Sequence, residues 1–180
     1  FAEACGISEL TRTTREEPDY DKLMQYRLDI LDEHGLTLPQ IQETIATLHP
    51  FEGARAFLDE LRSITQVMIV SDTFSQFASP LMRKLGWPTI LCNELLVDDG
   101  GRITGWRMRK AEKKVQVTQL INEMGFDTIC AGDSHNDICM IEDAKAGFLF
   151  RTTDELKAAY PTIPALESYD ELLAAIREAL

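Results

Sequence analysis

The sequence predicts an α/β fold, a parallel sheet flanked by helices, together with a small helical domain. After residue 50, short continuous apolar segments rich in β-branched residues alternate with segments of helical periodicity. This alternation is typical of buried parallel strands joined by helices. Before residue 50 every periodic segment is helical. We therefore expect a helical domain at residues 1–50 and an α/β core at residues 51–180.

Two helices are predicted in the first fifty residues. Residues 19–35 place apolar side chains at helical spacing and end at Gly35, a residue type favoured just beyond a helix C-terminus. Residues 37–50 repeat the pattern on one face, and Pro50 is the stop signal.

The elements after residue 50 are predicted from the spacing of apolar residues. Strands are predicted where apolar residues run together, helices where they recur every three or four positions, and a hairpin around the turn Asp99-Gly100-Gly101. In chain order the predicted elements are helix 52–64, strand 66–72, helix 75–86, strand 89–93, hairpin 94–109, helix 113–125, strand 127–133, helix 136–144, strand 146–150 and a helix from Tyr169.

Composition limits the classes of partner. With 18 basic and 30 acidic residues, the chain has a net charge of −12 and no basic stripe. We therefore expect neither nucleic acid nor an anionic membrane surface as a partner. No apolar run approaches the roughly 18 residues of a membrane span. The 4 cysteines show no C-x-x-C spacing, which favours reduced thiols and a cytoplasmic location.

Two predicted strands end in polar residues. One ends in Ser71 and Asp72, and the other ends in Gly132 and Asp133. In open parallel sheets ligands bind at the carboxyl ends of the strands, and right-handed crossovers bring those ends to one edge. We therefore expect both strand ends at one edge of a single sheet.

Asp133 and Asp137 form a G-D-x-x-x-D pattern, which places both carboxylates on one side of a helix that begins there. Oxygen ligands at this spacing suit Mg²⁺, which takes one or two carboxylates together with phosphate oxygens and water. The alternative is structural, with Asp133 capping the helix and Asp137 placed favourably in its first turn.

Three other side chains are candidates for binding an anion. Ser71 and free N–H groups at a strand end can hold a phosphoryl oxygen, or Ser71 only caps the turn. Lys114 opposes the dipole at a helix start, so neutralising a phosphate would explain it, although Lys113 is a rival and the basic run could be a solvated surface. Arg27 lies beside the apolar stripe of the first long helix, where it either extends from the core edge or binds a carboxylate or phosphate.

The motifs "VMIVSDTF", "EKKVQV" and "AGDSHND", in that order, resemble those of the haloacid dehalogenase superfamily. The likeness covers essentially the whole chain and is greatest to the phosphoserine phosphatase branch, in particular to members that also transfer the phosphoryl group to homoserine. It implies a Rossmann-like core with a helical cap at residues 1–50. It also implies O-phosphoserine as substrate, homoserine as a second acceptor and Mg²⁺ as cofactor, and it is compatible with a homodimer.

The resemblance implies roles for the residues near the G-D-x-x-x-D pattern. Asp133 resembles the acidic Mg²⁺ ligand, Asn136 a substrate or phosphate contact, and Asp137 a support for the metal site. Lys114 resembles the lysine that balances charge on a phosphoaspartyl intermediate.

The resemblance also implies a substrate-binding set. Ser71 and the backbone of Asp72 resemble the phosphoryl cradle, and Arg27 resembles the residue that holds the substrate carboxylate. Two alternatives are a capped phosphatase for another small phosphomonoester and a non-catalytic module that binds phosphate.

One family element has no match. The family begins with an aspartate nucleophile at the end of a strand, in a pattern like D-x-[DE]-G, and this pattern does not occur in the 180 residues. Asp19 and Asp21 have the spacing, but they stand at a helix start and are interpreted as capping carboxylates. We therefore expect that the chain as given starts late, lacks the first core strand and is inactive alone.

Overall fold

The structure, a computed structural model, describes residues 6–12, 16–17, 19–109 and 113–180. The chain divides into two compact units, the first built from Phe1–Phe51 and Ser71–Arg109 and the second from Glu52–Val70 and Lys110–Leu180. The division into a cap at residues 1–50 and a core at residues 51–180 stays a prediction.

Helices and strands alternate through most of the described chain. The α-helices are α1 (Tyr20–Glu33), α2 (Leu38–Thr47), α3 (Ala54–Ile64), α4 (Ser75–Lys84), α5 (Lys113–Glu123), α6 (Ile138–Asp143), α7 (Asp154–Ala159) and α8 (Tyr169–Ala179). The strands are β1 (Met68–Phe74), β2 (Thr89–Val97), β3 (Ile103–Arg107), β4 (Ile129–Gly132), β5 (Ala146–Phe150) and β6 (Ala165–Leu166). Two 3-10 helices cover Ser8–Thr11 and His135–Asp137.

Local capping signals set the helices of the first unit. Asp19 is the N-cap of α1, and its carboxylate accepts hydrogen bonds from the backbone N–H groups of Asp21 and Lys22 at 3.1 and 3.2 Å. Thr37 and Gln40 form a capping box at the start of α2. Both helices predicted for the first fifty residues are confirmed, as is the capping role of Asp19.

The sheet of the first unit has the strand order β1-β2-β3. β2 and β3 pair antiparallel, with Leu95 opposite Trp106. The predicted hairpin is therefore confirmed, and the strand predicted at 89–93 is the first part of β2. Ile41 and Leu95 belong to one buried cluster with residues of α1, so the two helices and the sheet share a core.

The second unit contains a parallel sheet in the order β4-β5-β6. Leu149 of β5 is fully buried at its centre. Leu61 of α3 and Leu172 of α8 pack in one cluster on this sheet together with Phe148. α7 and β6 lie in residues 151–168, for which the sequence analysis predicts no element.

A parallel sheet flanked by helices confirms the predicted fold class. The structure differs from two expectations. The strands that carry Ser71 and Gly132 do not share a sheet, because β1 pairs with β2 and β4 pairs with β5. β1 also continues to Phe74, so Ser71 and Asp72 lie within this strand and not at its end. Ser71 therefore belongs to the first unit and Asp133 to the second. No helix in the described part of the chain combines the length and the apolar character that a membrane crossing requires.

Candidate active site

Asp137 organises the loop that follows β4. It is only 5% exposed, and one of its carboxylate oxygens accepts hydrogen bonds from the backbone N–H groups of Asp133 at 3.2 Å and Ser134 at 3.1 Å. The Ser134 hydroxyl donates to the same oxygen at 2.8 Å. A buried carboxylate needs such donors, because burial removes the water that would otherwise solvate its charge. Asp137 thus fixes the backbone that carries Asp133.

Lys114 supplies the counter-charge. Its Nζ lies 2.6 Å from the other carboxylate oxygen of Asp137, and the two side chains are only 12% and 8% exposed. A lysine in the first turn of α5 opposes the helix dipole, and the pair with Asp137 compensates for that position. Lys113, the rival candidate, has a side chain outside the described part of the structure.

Gly132 lets Asp137 approach β4. A methyl group built at Gly132 would lie 2.6 Å from Cγ and 2.7 Å from Oδ2 of Asp137. Both separations are well below van der Waals contact. Only a residue without a side chain therefore allows this carboxylate to lie against the end of the strand.

Asp133 presents an open carboxylate. Its side chain is exposed and makes no hydrogen bond or ion pair with the described residues. Its main chain, in contrast, is held on both sides, because the Thr152 hydroxyl donates to its carbonyl oxygen at 2.6 Å and its N–H donates to Asp137. Asn136 is also exposed, and its side-chain amide contacts the Ser134 hydroxyl.

The donor set near Asp133 fits a hard cation such as Mg²⁺. The described residues contain no group of three or more His, Cys, Asp or Glu side chains that could hold a metal. Mg²⁺ does not require such a group, since it commonly binds one or two carboxylates and completes its shell with phosphate oxygens and water. Asp133 offers a free carboxylate, whereas Asp137 is already engaged by Lys114 and Ser134.

Sequence reasoning missed Ser134 and Thr152. The S-x-x-D spacing of Ser134 and Asp137 is a capping-box signal, and the structure shows that box. Thr152 follows the carboxyl end of β5 by two residues. The rule that polar residues at strand ends gather near the site could have indicated it.

The first unit contains a cavity of about 400 Å³. Arg27 and Asp72 are the charged residues in its wall. Most of the other residues in the wall are apolar: Leu10, Met24, Leu28, Leu31, Ile45, Leu48, Phe74, Phe77, Leu81 and Leu95. A cavity with few polar groups in an apolar wall is the usual form of a small-molecule site.

Arg27 projects from α1 with unused hydrogen-bonding capacity. Its Nη2 donates to the carbonyl oxygen of Arg12 at 2.8 Å. Its Nε is buried and has no hydrogen-bond partner among the described residues. Leaving a buried charged donor unsatisfied costs free energy. The guanidinium as a whole lies in the cavity wall, where it is the positive charge among the described lining residues.

The backbone after Val70 is held by two side chains of the first unit. The buried Asn93 donates from Nδ2 to the carbonyl oxygen of Asp72 at 2.8 Å. The N–H of Thr73 donates to Oγ of Ser71 at 3.2 Å. Among the candidates, the structure thus brings together Arg27 and Asp72, with Ser71 beside Asp72, in the first unit. In the second unit it brings together Lys114, Asp133, Asn136 and Asp137.

The chain is similar in sequence to a known protein family. Residues 9–142 match the sequence model of the haloacid dehalogenase-like hydrolase family. Over 172 residues the chain is 49% identical to phosphoserine phosphatase ThrH of Pseudomonas aeruginosa. This alignment covers 96% of this chain and 84% of that protein.

Two solved structures are similar to this one. A substrate-bound phosphoserine phosphatase complex matches with a TM-score of 0.75 at 23% identity, over 97% of this chain and 88% of that chain. A phospho-aspartyl intermediate analogue of a phosphoserine phosphatase matches with a TM-score of 0.66 at 26% identity, over 87% and 79% of the two chains. The first similarity concerns the fold alone.

Proposed function

The chain belongs to the haloacid dehalogenase-like hydrolase family, and we propose that it acts on O-phosphoserine in a Mg²⁺-dependent reaction through a phosphoaspartyl intermediate. The observation that carries the choice of substrate is the position of Arg27, a positively charged side chain in the largely apolar wall of a cavity. Phosphoserine bears a carboxylate that this guanidinium can bind. The relative at 49% identity is itself named a phosphoserine phosphatase.

The residues of the first unit bind the substrate in this proposal. Arg27 holds the carboxylate, and its planar guanidinium suits that group better than a lysine would. Ser71 and the backbone at Asp72 hold phosphoryl oxygens by hydrogen bonds. The apolar remainder of the wall excludes water, which strengthens both interactions.

In this proposal the residues of the second unit bind Mg²⁺ and offset the negative charge of the phosphoryl group. Asp133 would hold Mg²⁺, which when bound offsets the negative charge of the phosphoryl group. Asp137 keeps the backbone of Asp133 in place and keeps Lys114 oriented. Lys114 contributes a second positive charge during phosphoryl transfer. Asn136 contacts the substrate or its phosphate.

The proposed reaction has two steps. An aspartate oxygen forms a bond to phosphorus while the bond from phosphorus to the serine oxygen breaks, and water then takes the phosphoryl group from the aspartate. No residue of the chain is assigned as this nucleophile, because D-x-[DE]-G does not occur in the 180 residues. We therefore expect the 180 residues by themselves to bind O-phosphoserine without hydrolysing it, and the protein expressed from its gene is the form for activity assays.

Transfer to homoserine is a second proposed activity. It rests on the resemblance to phosphatases that pass the phosphoryl group to that alcohol. Incubation with O-phosphoserine and homoserine, followed by mass spectrometry, would show phosphohomoserine if the proposal holds. A cytoplasmic location and a homodimer stay predictions.

The apolar cavity wall favours one alternative, a phosphatase for a different small phosphomonoester. Comparing O-phosphoserine with O-phosphoethanolamine, which lacks the carboxylate, distinguishes the two. We expect Arg27→Ala to lower kcat/KM for O-phosphoserine by about 10–100-fold, the loss of a hydrogen bond between charged groups, and to leave O-phosphoethanolamine unaffected. Arg102→Ala is the control, because Arg102 pairs with Asp32 in the same unit. Equal effects of Arg27→Ala on both substrates would show that Arg27 does not bind the carboxylate.

A further inference from the structure

Asn93 is an unusual residue for its position. It is a polar side chain that is only 1% exposed, at a point in β2 where sequence reasoning assigns no function. Its Nδ2 donates to the carbonyl oxygen of Asp72 at 2.8 Å, and its Oδ1 accepts from the N–H of Arg109 at 3.0 Å. One amide side chain therefore ties the backbone of β1 to the residue that follows β3.

The bond to Asp72 has a consequence for the next N–H group. The carbonyl of Asp72 and the N–H of Thr73 belong to one planar trans peptide and point in opposite directions. Because Asn93 holds the carbonyl oxygen, it also fixes the direction of the Thr73 N–H. That N–H donates to Oγ of Ser71 at 3.2 Å.

The bond from Thr73 in turn occupies one lone pair of the Ser71 hydroxyl oxygen. A hydroxyl that accepts an N–H on one lone pair keeps its own hydrogen for a different partner. Ser71 has no acceptor for that hydrogen within the described residues. The hydroxyl is therefore prepared to donate, which is what an anionic oxygen requires.

From this chain of bonds we propose that Asn93 is a positioning residue that orients the Ser71 hydroxyl as a donor to a phosphoryl oxygen, through the peptide between Asp72 and Thr73. The inference rests on the proposed function, because it takes Ser71 to bind the phosphoryl group. Asn93 itself does not contact the substrate.

A double-mutant cycle tests the proposal, with inorganic phosphate as the probe and calorimetry as the measurement. Asn93→Leu removes the amide while keeping the number and branching of its side-chain heavy atoms, and Ser71→Ala removes the hydroxyl. We expect each to weaken phosphate binding by about tenfold, as for one hydrogen bond to a charged oxygen. We expect the double variant to bind phosphate no more weakly than Ser71→Ala. If the double variant bound phosphate about a hundredfold more weakly than the wild type, the two effects would be independent and the proposal would be overturned.

Gln42→Leu is the matched control. Gln42 also donates from its side-chain amide to a backbone carbonyl oxygen, that of Gln76, at 2.8 Å in the same unit. If Asn93 only stabilised the fold, both variants would lower the melting temperature and neither would change phosphate affinity. We expect the change in affinity for Asn93→Leu alone.

Hydrogen exchange at the Thr73 amide provides a second readout that needs no ligand. We expect this amide to exchange faster in Asn93→Leu than in the wild type, relative to other amides of β1 and β2. Unchanged relative exchange of the Thr73 amide would overturn the proposed role of Asn93, whether or not the protein binds phosphate. Absence of phosphate binding by the wild type would instead refute the proposed function. Asn93→Ser, which is too short to reach Asp72, serves if Asn93→Leu does not fold.

Discussion

The substitution Gly132→Ala tests the packing of the loop after β4. The added methyl group would lie 2.6 Å from Cγ and 2.7 Å from Oδ2 of Asp137, nearly 1 Å closer than ordinary carbon contacts of about 3.5 Å. The neighbouring atom is not the end of a flexible chain, because Asp137 is held by Lys114 and by the N–H groups of Asp133 and Ser134. The methyl group must therefore displace Asp137.

Overpacking of this kind usually costs about 1–3 kcal/mol in the free energy of unfolding. We expect Gly132→Ala to lose that amount in urea unfolding. We also expect a large loss in the rate of O-phosphoserine hydrolysis at a temperature where the variant is still folded. The reason is that the displaced Asp137 releases both Lys114 and the backbone of Asp133.

Two glycines provide controls. At Gly105 a methyl group would meet Leu96 at 3.5 Å, which is ordinary contact, so Gly105→Ala should leave both stability and turnover near the wild-type values. At Gly147 it would lie 2.5 Å from Cγ2 of Ile141, so Gly147→Ala should lose stability by overpacking the core. A Gly132→Ala protein with wild-type urea midpoint and turnover would refute the account of Asp137.

Three further predictions concern charge and exposure. Lys114→Met leaves the buried Asp137 carboxylate unpaired and should lower the unfolding free energy by about 3–5 kcal/mol; adding Asp137→Asn should recover part of this loss in the same urea titration. The N–H of Lys22 holds the pKa of Asp19 below its ordinary value of 3.8, so the stabilisation it adds is fully present above that value and is lost as the pH falls through the lowered pKa. The difference in melting temperature between wild type and Asp19→Ala should vanish on acidification, and a constant difference would contradict this. Burial raises the pKa of the Cys130 thiol, although a hydrogen bond with Thr118 opposes the shift, so iodoacetamide mapping by mass spectrometry should show the exposed Cys139 alkylated before Cys130.

Local signals allowed the sequence to predict most elements. The N-cap at Asp19, the helical spacing of α1 and the stop signal at Pro50 depend only on neighbouring residues, and each corresponds to an element of the structure. α7 and β6 were missed because a helix of 6 residues and a strand of 2 residues carry too short a pattern. The pairing of strands into sheets was also beyond local reasoning, because it depends on contacts between distant residues.

The candidate site shows the same limit. Asp133 and Asp137 stand in a compact motif, which the sequence displays directly. The ion pair of Lys114 with Asp137 links residues that are far apart in the chain, and the sequence suggested only a phosphate as the partner of Lys114. Asn93 gave no signal, because an asparagine near the end of an apolar run is ordinary until the fold places Asp72 beside it.

The most direct test of the proposed function is phosphate release from O-phosphoserine in the presence of Mg²⁺. The protein expressed from its gene would be compared with Asp133→Asn and with the control Asp127→Asn, which removes an exposed carboxylate paired with Lys145 in the same unit. We expect turnover by the wild type and by Asp127→Asn, and at most a few per cent of that turnover by a folded Asp133→Asn protein. Higher turnover by Asp133→Asn, or none by the wild type, would contradict the account.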